Sequence, residues 1–191
     1  MVARNREQLI HVAARLFLSK GYKYTSIEDV VQKSGVSRSN LYFHFKSKEE
    51  LLFAVVDFWG NRYESALEIS LGQHQLSAQQ RIEAFIDLLL DEVSARGERG
   101  TCPFIAMYQQ SAVEASEVHQ RIKKFFTCLE QLIGSLIAQG METGEFRAVI
   151  GEKQAAILFV SALEGSLVLA EMKGDLSIVI SSAEAFFTML R

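Results

Sequence analysis

The chain has 191 residues, of which 49% are apolar, with one proline, two cysteines and a net charge of −3. That is enough chain for one or two domains with a real core, and two cysteines suit a reducing compartment while matching no metal-ligand spacing. Met1 to Gln8 is too polar for a signal peptide. The most apolar run, Ala155 to Ala170, is short for a bilayer span and is broken by Ser161, Glu164 and Ser166, so a cytoplasmic protein without membrane association is expected.

The charge is unevenly distributed. Residues 1–50 carry nine Lys and Arg against five Asp and Glu, whereas residues 51–191 carry eleven against eighteen. A basic amino-terminal quarter on an acidic body is the balance of a nucleic-acid-reading head on a separate body. Scarce proline, with glycines mostly between periodic segments, predicts an all-α chain.

In chain order, Leu9, Ile10, Ala13, Leu16 and Phe17 form the stripe of an amphipathic helix over Arg4 to Lys20, ended by Gly21. Arg4 and Arg6 ahead of it suit either a phosphate backbone or a solvated terminus. Thr25 and Glu28 form a capping-box pattern for a second helix, with Ile27, Val30 and Val31 on its apolar face. Ser34-Gly35-Val36 breaks the period, Gly35 supplying a left-handed helix end. Ser37 caps a third helix, whose Leu41 points inward and leaves Arg38, Ser39, Asn40 and Tyr42 outside. Two short capped helices around a glycine turn make a helix-turn-helix, whose second helix enters the major groove. Arg38 suits a guanine edge or a phosphate, Asn40 suits adenine and Ser39 bonds either way. Tyr42, His44, Lys46 and Lys48 follow where hydroxyl and cationic groups hold phosphates.

The stretch GVSRSNLYFHFKSKEELL resembles the signature of the tetracycline-repressor (TetR) family of bacterial transcription regulators. The likeness extends upstream through Ala14, Leu16, Phe17, Gly21, Tyr22, Thr25, Ile27 and Val30, about the first quarter of the chain. Ser39 departs from it, since members often carry glycine there. Glu28 departs too, where an acidic group repels phosphate but can accept from a cytosine amine. The resemblance implies an all-α fold with a three-helix helix-turn-helix head at residues 1–47. A larger helical ligand-binding and dimerisation body follows at residues 48–191. The DNA contacts expected are Thr25, Ser26, Ser37, Arg38, Ser39, Asn40, Tyr42, His44, Lys46 and Lys48.

Ser47 and Glu50 cap the next helix, which the resemblance makes the connector between head and body. It carries the aromatic cluster Phe58, Trp59 and Tyr63 around Arg62. After a loop at Gly72 to Leu76, Ser77 and Gln80 cap a helix with Ile82, Phe85, Ile86, Leu89 and Val93 inside. Arg96 to Gly100 reads as a turn, and Pro103 starts a helix carrying Phe104, Met107 and Tyr108. Val118, Ile122, Phe125, Leu129, Leu132 and Leu136 mark a long helix over Glu117 to Gly140. Two last helices follow, Glu152 to Lys173 and, with Asp175 as cap, Leu176 to Leu190.

The first of these last helices is apolar on nearly all sides and needs cover on more than one face. A second copy of the chain would give that cover through Leu158, Ala162, Leu169, Ile180, Ala183 and Phe187, making a homodimer with two heads for palindromic double-stranded operator DNA. The resemblance also implies a small, lipophilic effector. Its expected walls are Trp59, Arg62, Tyr63, Phe85, Leu89, Phe104, Met107, Tyr108, Phe125 and Leu129, with Arg62 suiting an acidic or phenolic ligand.

No nucleophile–base pair, phosphate loop or zinc pattern is present, so neither an enzyme, a cofactor nor a metal is expected. Glu114, Glu117 and His119 are better read as a solvated helix start than as metal ligands. Two rival readings stay open. One is a thiol-sensing regulator using Cys102, which precedes a helix-starting proline with Arg96 and Arg99 nearby, Cys128 being inert. The other is a helical small-molecule-binding protein that no longer binds an operator.

Overall fold

The computed structural model describes residues 2–96, 102–111 and 116–191. Within them all regular structure is helical: α1 (Val2–Leu16), α2 (Ile27–Ser34), α3 (Arg38–His44), α4 (Lys48–Leu71), α5 (Ala78–Ala95), α6 (Pro103–Gln110), α7 (Ser116–Glu142), α8 (Glu152–Lys173) and α9 (Ser177–Met189). The chain is all-α, as its periodicities require. The Gly97 to Gly100 part of the expected turn, Arg99 included, and Glu114 lie outside the described residues.

The contacts divide the chain into two units, residues 1–62 with 103–123, and residues 63–102 with 124–191. Helices α4 and α7 supply residues to both. In the first unit α1 packs on α2 and α3 through Leu9, Ala13, Phe17, Val30, Leu41 and Phe45, all buried. The first helix does not run regularly to Lys20. It widens into a π-helical turn at Phe17–Gly21, and Gly21 closes it at φ +91°. Only glycine adopts that backbone without strain. Gln110, at the end of α6, packs on this turn and accepts the Tyr22 N–H at 2.5 Å.

The cap of α2 lies one residue later than its sequence suggests. Ser26 is the N-cap and Asp29 its partner, the two exchanging hydrogen bonds of 3.1 and 2.7 Å. Thr25 is buried, and its hydroxyl donates to the Gly21 carbonyl at 2.8 Å. Gly35 takes the left-handed conformation (φ +68°) and donates its N–H to Val31 O, and Ser37 accepts from Asn40 N–H, both as expected. Ser47 accepts from Glu50 N–H, while the Glu50 carboxylate takes the Lys46 N–H at 2.7 Å.

In the second unit α8 packs on α9, and α9 also meets α5. Phe146 stacks on Phe187 with ring centroids 6.0 Å apart, and Phe159 and Phe186 complete an aromatic core. The 22-residue α8 is long and apolar enough to cross a bilayer by length and composition, contrary to the estimate from Ala155 to Ala170 alone. It is the packed helix of this unit instead, with Ala155, Ala156, Phe159, Val160, Leu163 and Leu167 buried. Helix α5 opens with the expected Ser77–Gln80 capping box. Sequence did not show its second cap: Glu145 accepts from the Ser77 hydroxyl at 2.6 Å and from the N–H groups of Ala78 and Gln79 at 2.9 and 3.0 Å.

A carboxylate that satisfies free amides at a helix start stabilises it through hydrogen bonds and the helix dipole together. Glu145→Ala is therefore expected to lower unfolding free energy by about 1–2 kcal/mol in urea titrations, with an unchanged helical circular-dichroism spectrum. A Glu145→Gln variant should recover only part of the loss, because it lacks the charge.

Candidate nucleic-acid interface

Helix α3 buries one side and exposes the other. Leu41 is fully buried and Val36 and Phe45 flank it, which turns Arg38, Ser39, Tyr42 and Phe43 outward, and Lys46, two residues past the helix, is exposed too. Ser37 is exposed as well, and its hydroxyl is within 3.2 Å of that of Ser39. Asn40 and His44 are half-buried; Asn40 Oδ1 and His44 Nε2 point inward without hydrogen-bond partners. Asn40 must therefore rotate its amide to offer both donor and acceptor to adenine.

Arg38 is held from two sides. Its guanidinium meets Glu28 Oε1 at 2.7 Å, and its Cζ lies 5.6 Å from the centre of the Tyr42 ring. Glu28 thus pairs with Arg38 in the free protein rather than standing open for a cytosine amine. Both side chains are largely exposed, so the pair contributes little stability. Its effect is to aim a flexible cation.

Lys48, half-buried at the start of α4, places Nζ 4.2 Å from the centre of the Tyr22 ring, and burial lowers its pKa against the pull of Asp29. Asp29 is held well below the usual carboxylate range, first by the Lys20 hydrogen bond and then by Ser26. Its cap is therefore intact at neutral pH and lost only in strong acid. Of the ten expected DNA contacts, Thr25 is the correction. Its side chain is enclosed by the turn it stabilises and cannot face a ligand. Ser26 is exposed but engaged as the cap. Arg4 and Arg6 are exposed, with Arg6 Cζ 5.5 Å from the Phe45 ring centre. Sequence reasoning passed over Tyr24 and Phe43, which are 77% and 75% exposed. The available signal was two aromatics at positions that the apolar stripe of the head does not use.

The expected effector walls fall in both units. In the first, Trp59, Phe104 and Met107 are buried, whereas Arg62 and Tyr108 are exposed. Arg62 is thus not an enclosed cation; its Cζ lies 5.8 Å from the Phe58 ring centre. Tyr108 rests against His119, whose Nε2 is 2.8 Å from Ser111 Oγ. In the second unit Tyr63, Phe85, Leu89, Phe125 and Leu129 are buried, with Tyr63 and Phe125 rings 6.0 Å apart.

That second unit also contains a polar group that sequence reasoning treated only as an interruption. The Glu164 carboxyl accepts a hydrogen bond from Cys102, and its Oε2 is buried without a partner. Burial pushes this carboxyl up to about 7, the Cys102 bond acting in the opposite direction. Burial likewise raises the Tyr63 phenol; Arg96 opposes that shift, while Cys102, Glu92 and Glu164 add to it. Among the described residues no three His, Cys, Asp or Glu side chains gather as metal ligands.

Of the surfaces expected between two copies, Leu158, Leu169 and Ile180 are exposed and Ala162 is half-buried. Phe187 and Ala183 are corrections, being buried inside the single chain, where Phe187 stacks on Phe146. Ile157 and Met172 join the exposed set.

Four substitutions test these contacts and the buried Glu164 carboxyl. Lys46→Ala should weaken binding to all duplexes alike and reduce the salt slope by about 1, whereas Arg38→Ala should cost about 1–3 kcal/mol and relax preference at one base pair. Glu28→Gln should relax that same preference, read in competition titrations, while strengthening non-specific binding. For Glu164, the folded protein holds its proton to about 7 against an ordinary 4.5. Stability is then full below the ordinary value and falls as pH rises through 7, by at most about 3 kcal/mol. Glu164→Gln should flatten that fall in urea midpoints compared at pH 5 and 8.

Comparison with known proteins agrees with this geometry. Residues 9–55 match the family model described as bacterial regulatory proteins, tetR family, and residues 78–186 match the tetracyclin repressor-like C-terminal domain. The chain is 27% identical over 192 residues to the uncharacterized HTH-type transcriptional regulator YfiR of Bacillus subtilis (strain 168), covering 96% of this chain and 90% of that protein. It is 28% identical over 122 residues to the HTH-type transcriptional repressor KstR2 of Mycolicibacterium smegmatis, covering 62% of this chain and 55% of the repressor. A TetR-family regulator of known structure from Agrobacterium tumefaciens superposes with a TM-score of 0.89 at 16% identity, covering 100% and 99% of the two chains, which establishes the fold. With both its head and most of its body matched, the chain belongs to the TetR family of bacterial regulators and is a DNA-binding helix-turn-helix transcription regulator.

Proposed function

We propose that this regulator is a cytoplasmic, homodimeric repressor without catalytic activity, released from a palindromic operator by a small lipophilic effector. Residues 1–47 read the operator and residues 48–191 dimerise and hold the effector. The observation that carries the DNA-reading part is the outward row Arg38, Ser39 and Tyr42 on a helix anchored by buried Leu41, with exposed Lys46 two residues beyond its end. Tyr24 and Phe43 extend that surface, a phenol to a phosphate and an apolar ring to a thymine methyl. That KstR2 is a repressor supports repression over activation.

For dimerisation, the support is the exposed apolar strip of Ile157, Leu158, Leu169 and Met172 on α8 with Ile180 on α9. A two-fold pairing of such strips would set two recognition helices at half-sites about 34–36 Å apart. Release requires the effector to bind the DNA-incompetent form more tightly, with a coupling of about 1–3 kcal/mol. The thiol-sensing alternative draws no support from Cys102, which is buried and bonded to Glu164 rather than open to a reagent.

Selection of bound duplexes from a random pool, at near-physiological salt, tests the central reading. An inverted repeat is expected. Enrichment of a single half-site refutes the dimeric mode, and no enrichment refutes operator reading itself. Leu158→Glu and Ile180→Glu should each shift the protein to monomer mass in sedimentation and lower operator affinity at least about tenfold, because one head then binds alone.

A further inference from the structure

The most informative group outside the DNA-reading head is Glu164. It sits on α8 in the second unit, on a helix whose buried positions are apolar apart from Ser166, whose hydroxyl donates to the Leu163 carbonyl. A buried carboxyl needs hydrogen-bond partners on both oxygens and a cation if it is to be charged. Here one partner is the Cys102 thiol, and Oε2 is buried with none. The Cys102 side chain comes from the segment before α6, and Tyr63, on α4, contributes a buried phenol that feels Glu164 electrostatically. The Tyr63 ring in turn adjoins that of Phe125 on α7. An unpaired carboxyl oxygen, a thiol and a phenol beside an aromatic wall leave one kind of group missing: a donor bearing positive charge.

We propose that Glu164 is the polar anchor of the effector site and that the effector is a lipophilic amine, its ammonium N–H donating to Glu164 Oε2 and its apolar body lying against Tyr63 and Phe125. This deepens the effector reading above and rests on it for the consequence, release of DNA, though not for the binding itself. It also reverses the ligand charge expected from Arg62, which is exposed. A neutral carboxyl in the empty site becomes a carboxylate opposite an ammonium, so binding favours the ionised form. Affinity should then rise with pH through the range in which the empty site loses its proton, about 7. The charged and titratable groups that act on Glu164 or on the Tyr63 phenol beside it are Cys102, Tyr63, Arg96 and Glu92. Arg96 is the cation among them, and its pull is felt at the Tyr63 phenol.

The test uses the full-length protein and three probes of one shape: 4-phenylbutylamine, 4-phenylbutan-1-ol and 4-phenylbutanoate. Binding is followed by calorimetry at pH 6 and 8, and operator release by fluorescence anisotropy of a labelled duplex. The amine is expected to bind at least about tenfold more tightly than the alcohol, and about tenfold more tightly at pH 8 than at pH 6. Glu164→Gln should abolish both the preference and the pH slope, and Glu164→Asp, which keeps the charge, should restore the preference in part. Equal binding of the alcohol or the carboxylate, an unchanged preference in Glu164→Gln, or no amine binding at millimolar concentration would each overturn the proposal. Amine binding that depends on Glu164 but leaves the operator complex intact supports the site and refutes its role as an effector site. Operator release by the alcohol or the carboxylate alone does the reverse, sparing the effector reading and sinking the amine.

Discussion

The turn at Gly21 to Thr25 is the constraint on which the DNA-reading unit depends. Gly21 enters a backbone region that other residues avoid, and its carbonyl then takes both the N–H of Thr25 and its hydroxyl. A Cβ at this position would also meet the Gln110 side chain at 2.9 Å. One residue thus ends α1, starts the approach to α2, and admits the grip of α6 through the Tyr22 N–H. The ring of Tyr22 extends the linkage, packing edge-on against Phe17 and lying under Lys48. A turn held from three directions gives α2 and α3 one orientation rather than several. Sequence-specific reading needs that, because a recognition helix misplaced by an ångström loses its base contacts.

Electrostatics on α3 is arranged around aim more than charge. The head is basic by composition, yet Arg38, the first cation of α3, is partly neutralised by Glu28 at 2.7 Å. A carboxylate in that place lowers non-specific attraction to phosphate and narrows the conformations of Arg38. Both effects favour a correct site over a random one, since non-specific affinity is mostly electrostatic and specificity is a difference between affinities. Lys46 remains exposed, whereas Lys48 is steadied by the Tyr22 ring.

In the body, burial sets the chemistry. Burial raises the Glu164 carboxyl to about 7, and Tyr63, Phe85, Phe125 and Leu129 of the same unit are buried as well. A charged group kept in such surroundings costs stability unless a partner arrives, so the body is predisposed to respond to whatever supplies one. The exposed faces of α8 and α9 are the opposite case: Leu158, Leu169 and Ile180 lie open on helices whose other faces are fully packed.

Much of this was legible in the residues. The helix period, the caps at Ser37 and Ser77 and the glycine at position 35 gave the all-α fold and the helix-turn-helix, because these are local interactions set by neighbours three or four residues apart. The outward identity of Arg38, Ser39 and Tyr42 followed from Leu41 facing inward, whereas Asn40, expected beside them, is half-buried. What needed the tertiary structure were pairings between distant segments. Ser26 displaced Thr25 as cap because Gly21 O claimed the Thr25 hydroxyl, and Glu28 found Arg38 across the turn. Phe187 left the expected dimer face for a stack with Phe146, and Arg62 lay outside rather than within. Glu164 looked like a break in an apolar run until Cys102, sixty-two positions earlier, was found beside it. Periodicity assigns a side chain to a face, but only packing decides what that face meets.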